Sequence, residues 1–214
     1  MIFTTRCAGC DTPGAPICTT CRFALSTRVP LTTAAGVEAA MAYTGRARDV
    51  LLGFKYRNRR QVARHLAGCI VNRLLVSGDL GRIDVVTWAP TSRRRRRERG
   101  FDQGEMLARY VARQLGRPVR PLLQRSDEPT QTGRSRRQRL DGVHFRAHPR
   151  VAGRTVLVID DVVTTGATLR AATAALEAAG AGWVRTCAVA ATPAPVAAAE
   201  RRQPARRAHL RAVA

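Results

Sequence analysis

Apolar residues cluster along the chain in short segments, and the spacing within each segment predicts either a strand or a helix. Continuous apolar runs that end at turn-forming residues are typical of buried strands. We expect such strands in four places: within 36–45 (GVEAAMAYTG), at 83–90 (IDVVTWAP, ended by Pro90), at 155–160 (TVLVID) and at 184–190 (VRTCAVA).

Between these strands, apolar residues recur at the spacing of one helix face. The helix that should follow residue 101 has the clearest limits, because Asp102 and Glu105 form a capping box and Gly116 with Pro118 ends it. The predicted faces are Val50, Leu51 and Phe54; Val62, Leu66, Cys69, Ile70 and Leu74; Leu107, Tyr110, Val111 and Leu115; and Leu169, Ala172, Leu176 and Ala179, the last closed by Gly180. Strands that alternate with helices predict an α/β fold with a mainly parallel sheet flanked by helices.

Two polar segments interrupt this alternation. We interpret residues 92–101 (SRRRRRERGF) as a charged loop and residues 124–150 as a long, arginine-rich loop without a clear period. A polar loop as long as the second one is often a lid over a binding site.

The length of 214 residues leaves room for one core and a small appendage. We predict a small module at 1–25, which holds four of the six cysteines, then a domain over 36–193 and a poorly ordered tail over 194–214, rich in Ala, Pro and Arg. No apolar run is long enough to cross a bilayer, and the N-terminus lacks the pattern of a secretory signal. We therefore expect a cytoplasmic protein without membrane insertion.

The formal net charge of the chain is +22, and this positive charge indicates which kind of partner the chain binds. Such an excess predicts an anionic partner: a phosphate ester, nucleic acid or an acidic surface. Of the 37 basic residues, only Lys55 is a lysine. The arginine excess and the many alanines also suggest a GC-rich coding background, so mutational bias explains some of the arginines in exposed positions.

The segment VLVIDDVVTTGATL, residues 156–169, carries the clearest candidate chemistry. Ligands of open α/β sheets bind at the carboxyl ends of the strands, where Asp160 and Asp161 are expected to lie. Carboxylates accept hydrogen bonds from neighbouring hydroxyls, and a helix N-terminus preceded by Thr and Gly attracts a phosphate. Such an arrangement fits a ribose 5-phosphate. The alternative is a buried strand, a solvated pair of aspartates and a capped helix.

The cysteines at the N-terminus have the spacing C-x₂-C-x₇-C-x₂-C. We favour a structural zinc site on Cys7, Cys10, Cys18 and Cys21, because each pair can supply two corners of a tetrahedron. A disulfide framework and a redox C-x-x-C pair are the alternatives, although no secretory signal supports an oxidising compartment. Cys69 and Cys187 lie in apolar segments and are expected to be buried structural thiols.

The remaining candidate residues are basic. Arg93 to Arg97 form the densest charge run, which we interpret as a contact for pyrophosphate or a nucleic-acid backbone, or else as a solvated loop. Single-stranded DNA would favour aromatic residues among the arginines, and only Phe101 and Phe145 follow the basic clusters. Lys55 either serves a site that needs a compact cation, or it is a lysine at a helix end that was retained by chance. The four histidines show no metal-binding spacing, and we assign them no function.

The segment VLVIDDVVTTGAT resembles the phosphoribosyl pyrophosphate (PRPP) motif of type I phosphoribosyltransferases. Across residues 7 to about 191 the chain resembles more narrowly the ComF family of competence-type, phosphoribosyltransferase-like proteins. The similar elements, in chain order, are CAGC…CTTC, GFKY around Lys55, RGFDQ at 99–103, QTGRSRRQR at 131–139, HF at 144–145 and the PRPP motif itself.

The resemblance implies a type I phosphoribosyltransferase fold and a role for each matching residue. Asp160 and Asp161 would hold the ribose hydroxyls, and the loop residues would hold the 5-phosphate: Thr164, Thr165, Gly166, Ala167 and Thr168. The pyrophosphate would face the loop after Pro90, for which the candidates are Thr91, Arg93, Arg94 and Arg99. A Mg²⁺ ion would bridge pyrophosphate and ribose oxygens. Residues 124–145 would form a mobile loop, with Gln131 and Arg139 as catalytic candidates.

The sequence departs from the family at two positions. Thr164 occupies a place where some members carry an acidic residue that acts on the acceptor, and Asp102 stands where members often have Asn. PRPP binding is therefore predicted more firmly than phosphoribosyl transfer. The alternative function is a single-stranded-DNA-binding accessory protein of DNA uptake, with DNA-uptake proteins as partners and a regulatory or vestigial PRPP site. A third hypothesis is a PRPP sensor that acts through a protein partner.

Overall fold

A computed structural model describes residues 5–26, 31–33, 36–78, 80–126 and 143–193. The strands in these ranges are β1 (Leu31–Thr32), β2 (Glu38–Ala42), β3 (Val85–Trp88), β4 (Leu123–Ser126), β5 (His144–Ala147), β6 (Thr155–Val163) and β7 (Trp183–Ala191). The α-helices are α1 (Thr19–Ala24), α2 (Gly45–Tyr56), α3 (Ala63–Ser77), α4 (Arg93–Arg99), α5 (Gln103–Leu115) and α6 (Ala167–Ala178). Short 3₁₀ turns lie at Arg60–Val62, Leu80–Arg82 and Pro149–Val151.

The main sheet confirms the predicted α/β class. Its strands lie in the order β1-β2-β7-β6-β3, and every pairing is parallel except that of β1 with β2. The continuous apolar runs form the two central strands, β6 and β7, which helices cover on both faces as expected for buried parallel strands. Strand β6 extends three residues beyond the predicted range, from Asp160 to Val163.

Helices flank the sheet through the apolar faces that the spacing predicted. One core joins α2, α3 and α5 to one face of the sheet, and the second joins α6 and the ribbon of β4 and β5 to the other. In α5 the predicted face is buried at Leu107 and Val111, and Gly116 ends the helix in the left-handed conformation. The glycine can adopt this conformation because it lacks a Cβ.

The N-terminal cysteine segment packs into the first of these cores and does not stand apart. The shared members are Cys7, Ala8, Ile17, Cys21 and Leu25, which join the buried side chains of α2 and α3. A Cβ on Gly53 of α2 would lie 2.1 Å from the Ala8 carbonyl oxygen, so only glycine permits this approach.

The prediction of a charged loop at residues 92–101 was wrong. Residues 93–99 form α4, because the Ser92 side chain accepts a hydrogen bond from the Arg95 N–H and Gly100 ends the helix with a φ of 74°. Arginine also has a high helix propensity. Charge alone therefore obscured a helix whose two end signals are present in the sequence.

The prediction of a loop over residues 124–150 was wrong at its two ends. Strands β4 and β5 pair antiparallel, with Leu123 opposite Ala147 and Ser126 opposite His144. Apolar side chains from this ribbon, such as Leu123 and Phe145, pack against the core on the α6 face, and this burial stabilises two strands too short to be recognised from their spacing. Residues 127–142 lie outside the described part of the chain, as does the predicted tail from residue 194 onward.

Candidate functional site

Two adjacent aspartates occupy the carboxyl end of β6, as the sequence predicted. Asp160 and Asp161 are both partly buried, and the strand continues beyond them to Val163. Asp160 lies opposite Ala188 of β7 in the sheet register. The Asp161 N–H donates to Asp160 Oδ1 at 2.7 Å, so the backbone orients one of the two carboxylates.

A loop with three predicted site residues connects these aspartates to α6. Thr164 and Thr165 are exposed, and Gly166 stands before α6 with a φ of 75°, a left-handed conformation that favours glycine. The Thr165 hydroxyl accepts from the Ala167 N–H at 3.4 Å, and Arg170 Nη1 donates to the Thr165 carbonyl at 2.7 Å. The loop therefore places hydroxyls, N–H groups and a guanidinium at the N-terminus of a 12-residue helix, where anions are stabilised.

The single lysine of the chain reaches this site from α2. Lys55 Nζ donates to Asp161 Oδ1 at 2.9 Å, across a separation of 106 residues. Both side chains are close to buried, with exposed fractions of 12% and 13%. The structure thus brings Lys55 into contact with the predicted ribose-binding pair, an arrangement that no local sequence signal could have shown.

The electrostatics of the pair favour a proton on one of the two carboxyls. Burial and the adjacent Asp161 raise the pKa of Asp160 well above its ordinary value, and Asp102 adds to this effect. Lys55 and the Asp161 N–H oppose the shift but do not cancel it. Closely spaced carboxylates in a poorly hydrated site behave in this way, and an incoming cation or hydrogen-bond donor would stabilise their ionised forms.

The predicted pyrophosphate loop lies beside these aspartates, after β3. Strand β3 pairs with β6, and the Ala89 N–H continues the pairing by donating to the Ile159 carbonyl at 3.1 Å. The Thr91 N–H donates to Asp102 Oδ2 at 2.9 Å, while Asp102 Oδ1 accepts from the Glu105 N–H at 3.1 Å. Asp102 therefore caps α5, as predicted, and also fixes the Thr91 loop, a second function that the sequence did not indicate.

The arginine candidates differ in their surroundings. Arg94 is exposed and pairs with Glu98 at 2.8 Å on the same helix, whereas Arg93, also exposed, begins α4. Arg99 donates to Gln103 Oε1 at 2.9 Å and to the Tyr56 hydroxyl at 3.0 Å, and its guanidinium lies 5.0 Å from the Tyr56 ring centre. Arg99 thus connects α4 to the residue that follows Lys55. The loop candidates Gln131 and Arg139 lie outside the described residues.

The four N-terminal cysteines form a second candidate site. Their Sγ atoms all lie within 4.8 Å of one another, and the set can hold a metal ion such as zinc. The Cys18 and Cys21 N–H groups donate to Cys7 Sγ at 3.3 Å and Cys18 Sγ at 3.4 Å. All six cysteines are free thiols, which agrees with a metal site and not with a disulfide framework.

Two of these thiols have a pKa below that of an ordinary cysteine, and a zinc ligand must be deprotonated. The Thr12 hydroxyl and N–H lower the pKa of Cys10 to about 6. Burial opposes ionisation of Cys7, but the N–H groups of Cys18, Cys10 and Gly9 outweigh it and lower the pKa of that thiol. Burial raises the pKa of Cys21, so a bound cation would have to stabilise this thiolate.

The two remaining cysteines have no such environment. Burial raises the pKa of Cys69 to about 11 and that of Cys187 to about 12. Cys187 is buried, as predicted, whereas Cys69 is only partly buried.

Comparison with known proteins shows what the second half of the chain is similar to. Residues 102–206 match the family model of the phosphoribosyl transferase domain. No curated protein matches the chain significantly. Among the described residues, no helix is long and apolar enough to cross a membrane.

Solved structures that resemble the chain do so at low identity. Glutamine PRPP amidotransferase from B. subtilis, complexed with ADP and GMP, has 21% identity and a TM-score of 0.45 over 61% of this chain. Purine phosphoribosyltransferase from Pyrococcus horikoshii Ot3 has 16% identity and a TM-score of 0.42, covering 63% of this chain and 76% of that one. This chain spans 26% of the amidotransferase. The matched segment includes both aspartates and the loop after them, so the second half of this chain is similar to the phosphoribosyl transferase domain.

Proposed function

We propose that the chain binds PRPP, or a related ribose 5-phosphate, at the carboxyl end of β6. One observation supports this most strongly: two adjacent carboxylates lead directly into a hydroxyl-rich loop at a helix N-terminus. Asp160 and Asp161 would accept hydrogen bonds from the ribose hydroxyls. The loop from Thr164 to Thr168 would hold the 5-phosphate, with Gly166 leaving space for its oxygens.

The pyrophosphate of PRPP would lie against the loop that begins at Thr91. The Asp102 anchor keeps the backbone of this loop beside β6. Arg93, Arg94 and Arg99 are the proposed guanidinium contacts, since arginine binds phosphates through two parallel hydrogen bonds. Mg²⁺ would be carried by the pyrophosphate and ribose oxygens of the ligand and would neutralise charge on the leaving group.

The reaction proposed for this site is transfer of the phosphoribosyl group to an acceptor. A nucleophile of the acceptor would form a bond to C1 of the ribose while the bond from C1 to the pyrophosphate oxygen breaks. The acceptor proton needs a base, which Thr164 cannot supply near neutral pH. We therefore expect an acceptor that ionises readily, or a base from another part of the chain.

Calorimetric titration of PRPP with Mg²⁺ into zinc-loaded protein tests the binding proposal. We expect saturable binding that is lost in the double variant Asp160→Asn, Asp161→Asn, because the amides keep the shape of the carboxylates but not their charge. The matched control is Asp84→Asn, since Asp84 lies at the amino end of β3 and accepts from the Thr155 N–H at 2.8 Å.

The outcomes separate binding from chemistry. Absence of binding by folded wild-type protein would contradict the proposal, and equal binding by the double variant would place the ligand elsewhere. Where binding is established, release of pyrophosphate in the presence of candidate acceptors tests the transfer reaction.

We further propose that the four cysteines bind one zinc ion in a structural role. The four thiols supply a closed set of ligands, and such a set leaves no position open for substrate. The ion would order a segment whose buried residues contribute to the same core as α2. The measurement is the zinc content of the purified protein, with one ion per chain expected and none after Cys7→Ser and Cys21→Ser are combined.

A second function, binding of single-stranded DNA, is favoured by the surface around α4. Five consecutive arginines begin this helix, and every one is exposed. Tyr56 is 65% exposed and lies beside Arg99, so a base could stack near this charge. The exposed arginines of α4 and the resemblance to the ComF family together support a role in DNA uptake. We propose that the protein acts there in the cytoplasm, together with DNA-uptake proteins.

Fluorescence anisotropy with a single-stranded oligonucleotide tests this second function. Affinity should fall steeply as salt increases, and the slope should decrease when Arg94, Arg95 and Arg97 are replaced by Gln. The control replaces Arg117, Arg120 and Arg154, basic residues in loops outside α4, by Gln. An equal loss in both triple variants would show that net charge, not α4, determines DNA binding.

A further inference from the structure

Lys55 occupies an unusual position among the basic residues of the chain. The other basic residues of α2, Arg46 and Arg48, are exposed, whereas only 12% of the Lys55 side chain is accessible. Its ammonium contacts one oxygen of Asp161, the oxygen Oδ1, at 2.9 Å. The bond is therefore made in a poorly hydrated environment, where ionic hydrogen bonds are strong.

The ammonium lies beside more than one carboxyl group. Asp160 and Asp161 stand on β6, Asp102 precedes the first residue of α5, and Lys55 opposes the raised pKa of Asp160 from α2. Burial and Asp161 favour a proton on Asp160, so the cluster keeps two adjacent carboxyl groups at the edge where the exposed Thr164 and Thr165 begin the loop. Two such groups are suited to a ligand that supplies hydrogen-bond donors.

We propose that Lys55 is a positioning residue of the ribose-phosphate site, holding Asp161 by one carboxylate oxygen and leaving the other for a ribose hydroxyl. This inference rests on the function proposed above and adds a residue outside the matched family segment, residues 102–206. An ammonium suits the task better than a guanidinium because it is compact and makes a single-point contact. The same charge attracts the anionic ligand as it approaches.

The cysteine segment stabilises the end of α2 that carries Lys55. Ala8 packs directly on Gly53, where a Cβ would lie 2.1 Å from its carbonyl oxygen. Arg57 Nη2 donates to that same Ala8 oxygen at 2.7 Å and to the Asp49 carbonyl at 3.0 Å. Lys55 lies between Gly53 and Arg57, the two residues that contact Ala8. The conformation of the cysteine segment therefore affects the position of the Lys55 ammonium.

Binding of ribose 5-phosphate as a function of pH tests the role of Lys55. In Lys55→Met we expect affinity at neutral pH to fall roughly tenfold or more, since an ionic hydrogen bond is lost. The acid limb of the binding profile should move to higher pH, because Lys55 no longer opposes the raised pKa of Asp160. Lys55→Arg should restore the acid limb. The control Arg48→Met removes one exposed charge from the same helix and should bind as wild type does.

The wild-type protein offers a second measurement that requires no substitution. Because the chain has one lysine, lysine labelled with ¹³C at Cε gives a single side-chain signal, that of Lys55. We expect this signal to move when ribose 5-phosphate is added, and to move in the ligand-free protein when Asp161 is replaced by Asn.

The possible results distinguish this inference from the proposed function. If ribose 5-phosphate and PRPP both fail to bind the wild-type protein, the proposed function and this inference are both wrong. If ribose 5-phosphate binds, but Lys55→Met keeps the wild-type affinity and pH profile, only the inference is wrong. An unmoved Lys55 signal at saturating ribose 5-phosphate would overturn it too, even where the Met variant does not fold.

Discussion

Two nearly buried ion pairs lie on the face of the sheet that packs against α2 and α3, and they differ in their hydrogen bonding. Near the amino end of β7, Arg185 donates from Nε to Glu38 at 2.9 Å, from Nη1 to the Gly78 carbonyl at 2.7 Å and from Nη2 to Ser77. At the carboxyl end of β6, Lys55 makes one hydrogen bond, to Asp161, beside a second carboxylate.

The carboxylates of the two clusters respond to their surroundings in opposite directions. Burial opposes ionisation of Glu38, but the hydrogen bonds from Arg185 and Ser77 prevail and lower its pKa. Burial and Asp161 raise the pKa of Asp160. The Arg185 cluster therefore favours the ionised form of its carboxylate and contributes to stability, whereas the pair of Asp160 and Asp161 favours a proton and is suited to binding.

Loss of the Arg185 cluster should have the largest effect on stability. Arg185→Met would leave Glu38 without its main partner in a buried site, and we expect a loss of about 3 to 5 kcal/mol in the free energy of unfolding. Chemical denaturation measures this. Lys55→Met should cost clearly less, since Lys55 makes a single hydrogen bond among the described residues and the neighbouring Asp160, whose pKa is already raised, can take up a proton. Equal losses in the two variants would remove the distinction between the clusters.

Metal removal should affect the Lys55 cluster more than the Arg185 cluster. At a free zinc concentration one hundredfold above Kd, the ion stabilises the folded chain by about 2.7 kcal/mol. Chelation should therefore lower the midpoint of thermal unfolding and also shift the ¹³C signal of Lys55, since Ala8 packs behind α2. A Lys55 signal that is unchanged after complete zinc removal would show that the cysteine segment does not position this residue.

A methyl group at Gly53 should disturb the same contact without changing any charge. Gly53→Ala places a Cβ against the Ala8 carbonyl, and we expect a loss of about 1 to 3 kcal/mol in denaturation experiments. The matched control is Gly68→Ala in α3, where the nearest atom to a new Cβ lies 3.9 Å away. That change should stabilise the protein by about 0.5 to 1 kcal/mol through helix propensity. Destabilisation of similar size at both positions would contradict the packing argument.

The smallest expected effect is a pH-dependent gain in stability from Asp160→Asn. A raised pKa in the folded state means that Asp160 favours folding below the ordinary aspartate pKa of 3.8, and that this contribution is lost as pH rises through the raised value. The variant should therefore gain stability relative to wild type as pH increases, on the order of 1 kcal/mol. Glu38→Gln should show the opposite trend, with a loss of stability at neutral pH that shrinks below about pH 4.5. A pH-independent difference for Asp160→Asn would contradict the electrostatic description.

The sequence predicted the parts of this molecule that depend on interactions between neighbouring residues. The apolar runs gave β6 and β7, the capping box gave α5, and the cysteine spacing gave the four-thiol cluster. These signals are local because a strand, a helix cap and a metal-binding turn each form from neighbouring residues. They also located Asp160 and Asp161 at the carboxyl end of their strand.

The parts that sequence missed depend on contacts between distant segments. The bond from Lys55 to Asp161 spans 106 residues, and the contact of Thr91 with Asp102 requires β3 and α5 to be in place. Helix α4 was missed for a different reason, since its high charge outweighed the end signals at Ser92 and Gly100. Local patterns therefore specified the carboxylates of the candidate site, and tertiary packing supplied its cation and its anchored loop.

A crystal structure of the zinc-loaded protein with PRPP and Mg²⁺ would show directly whether the ligand binds at the aspartate pair. We expect density for the ribose at Asp160 and Asp161, for the 5-phosphate over Thr164 to Thr168, and for the pyrophosphate beside Thr91. Lys55 should still contact Asp161 in that complex. Density for the ligand at another surface, such as α4, with the aspartate pair unoccupied at saturating ligand, would show that the proposed binding site is wrong.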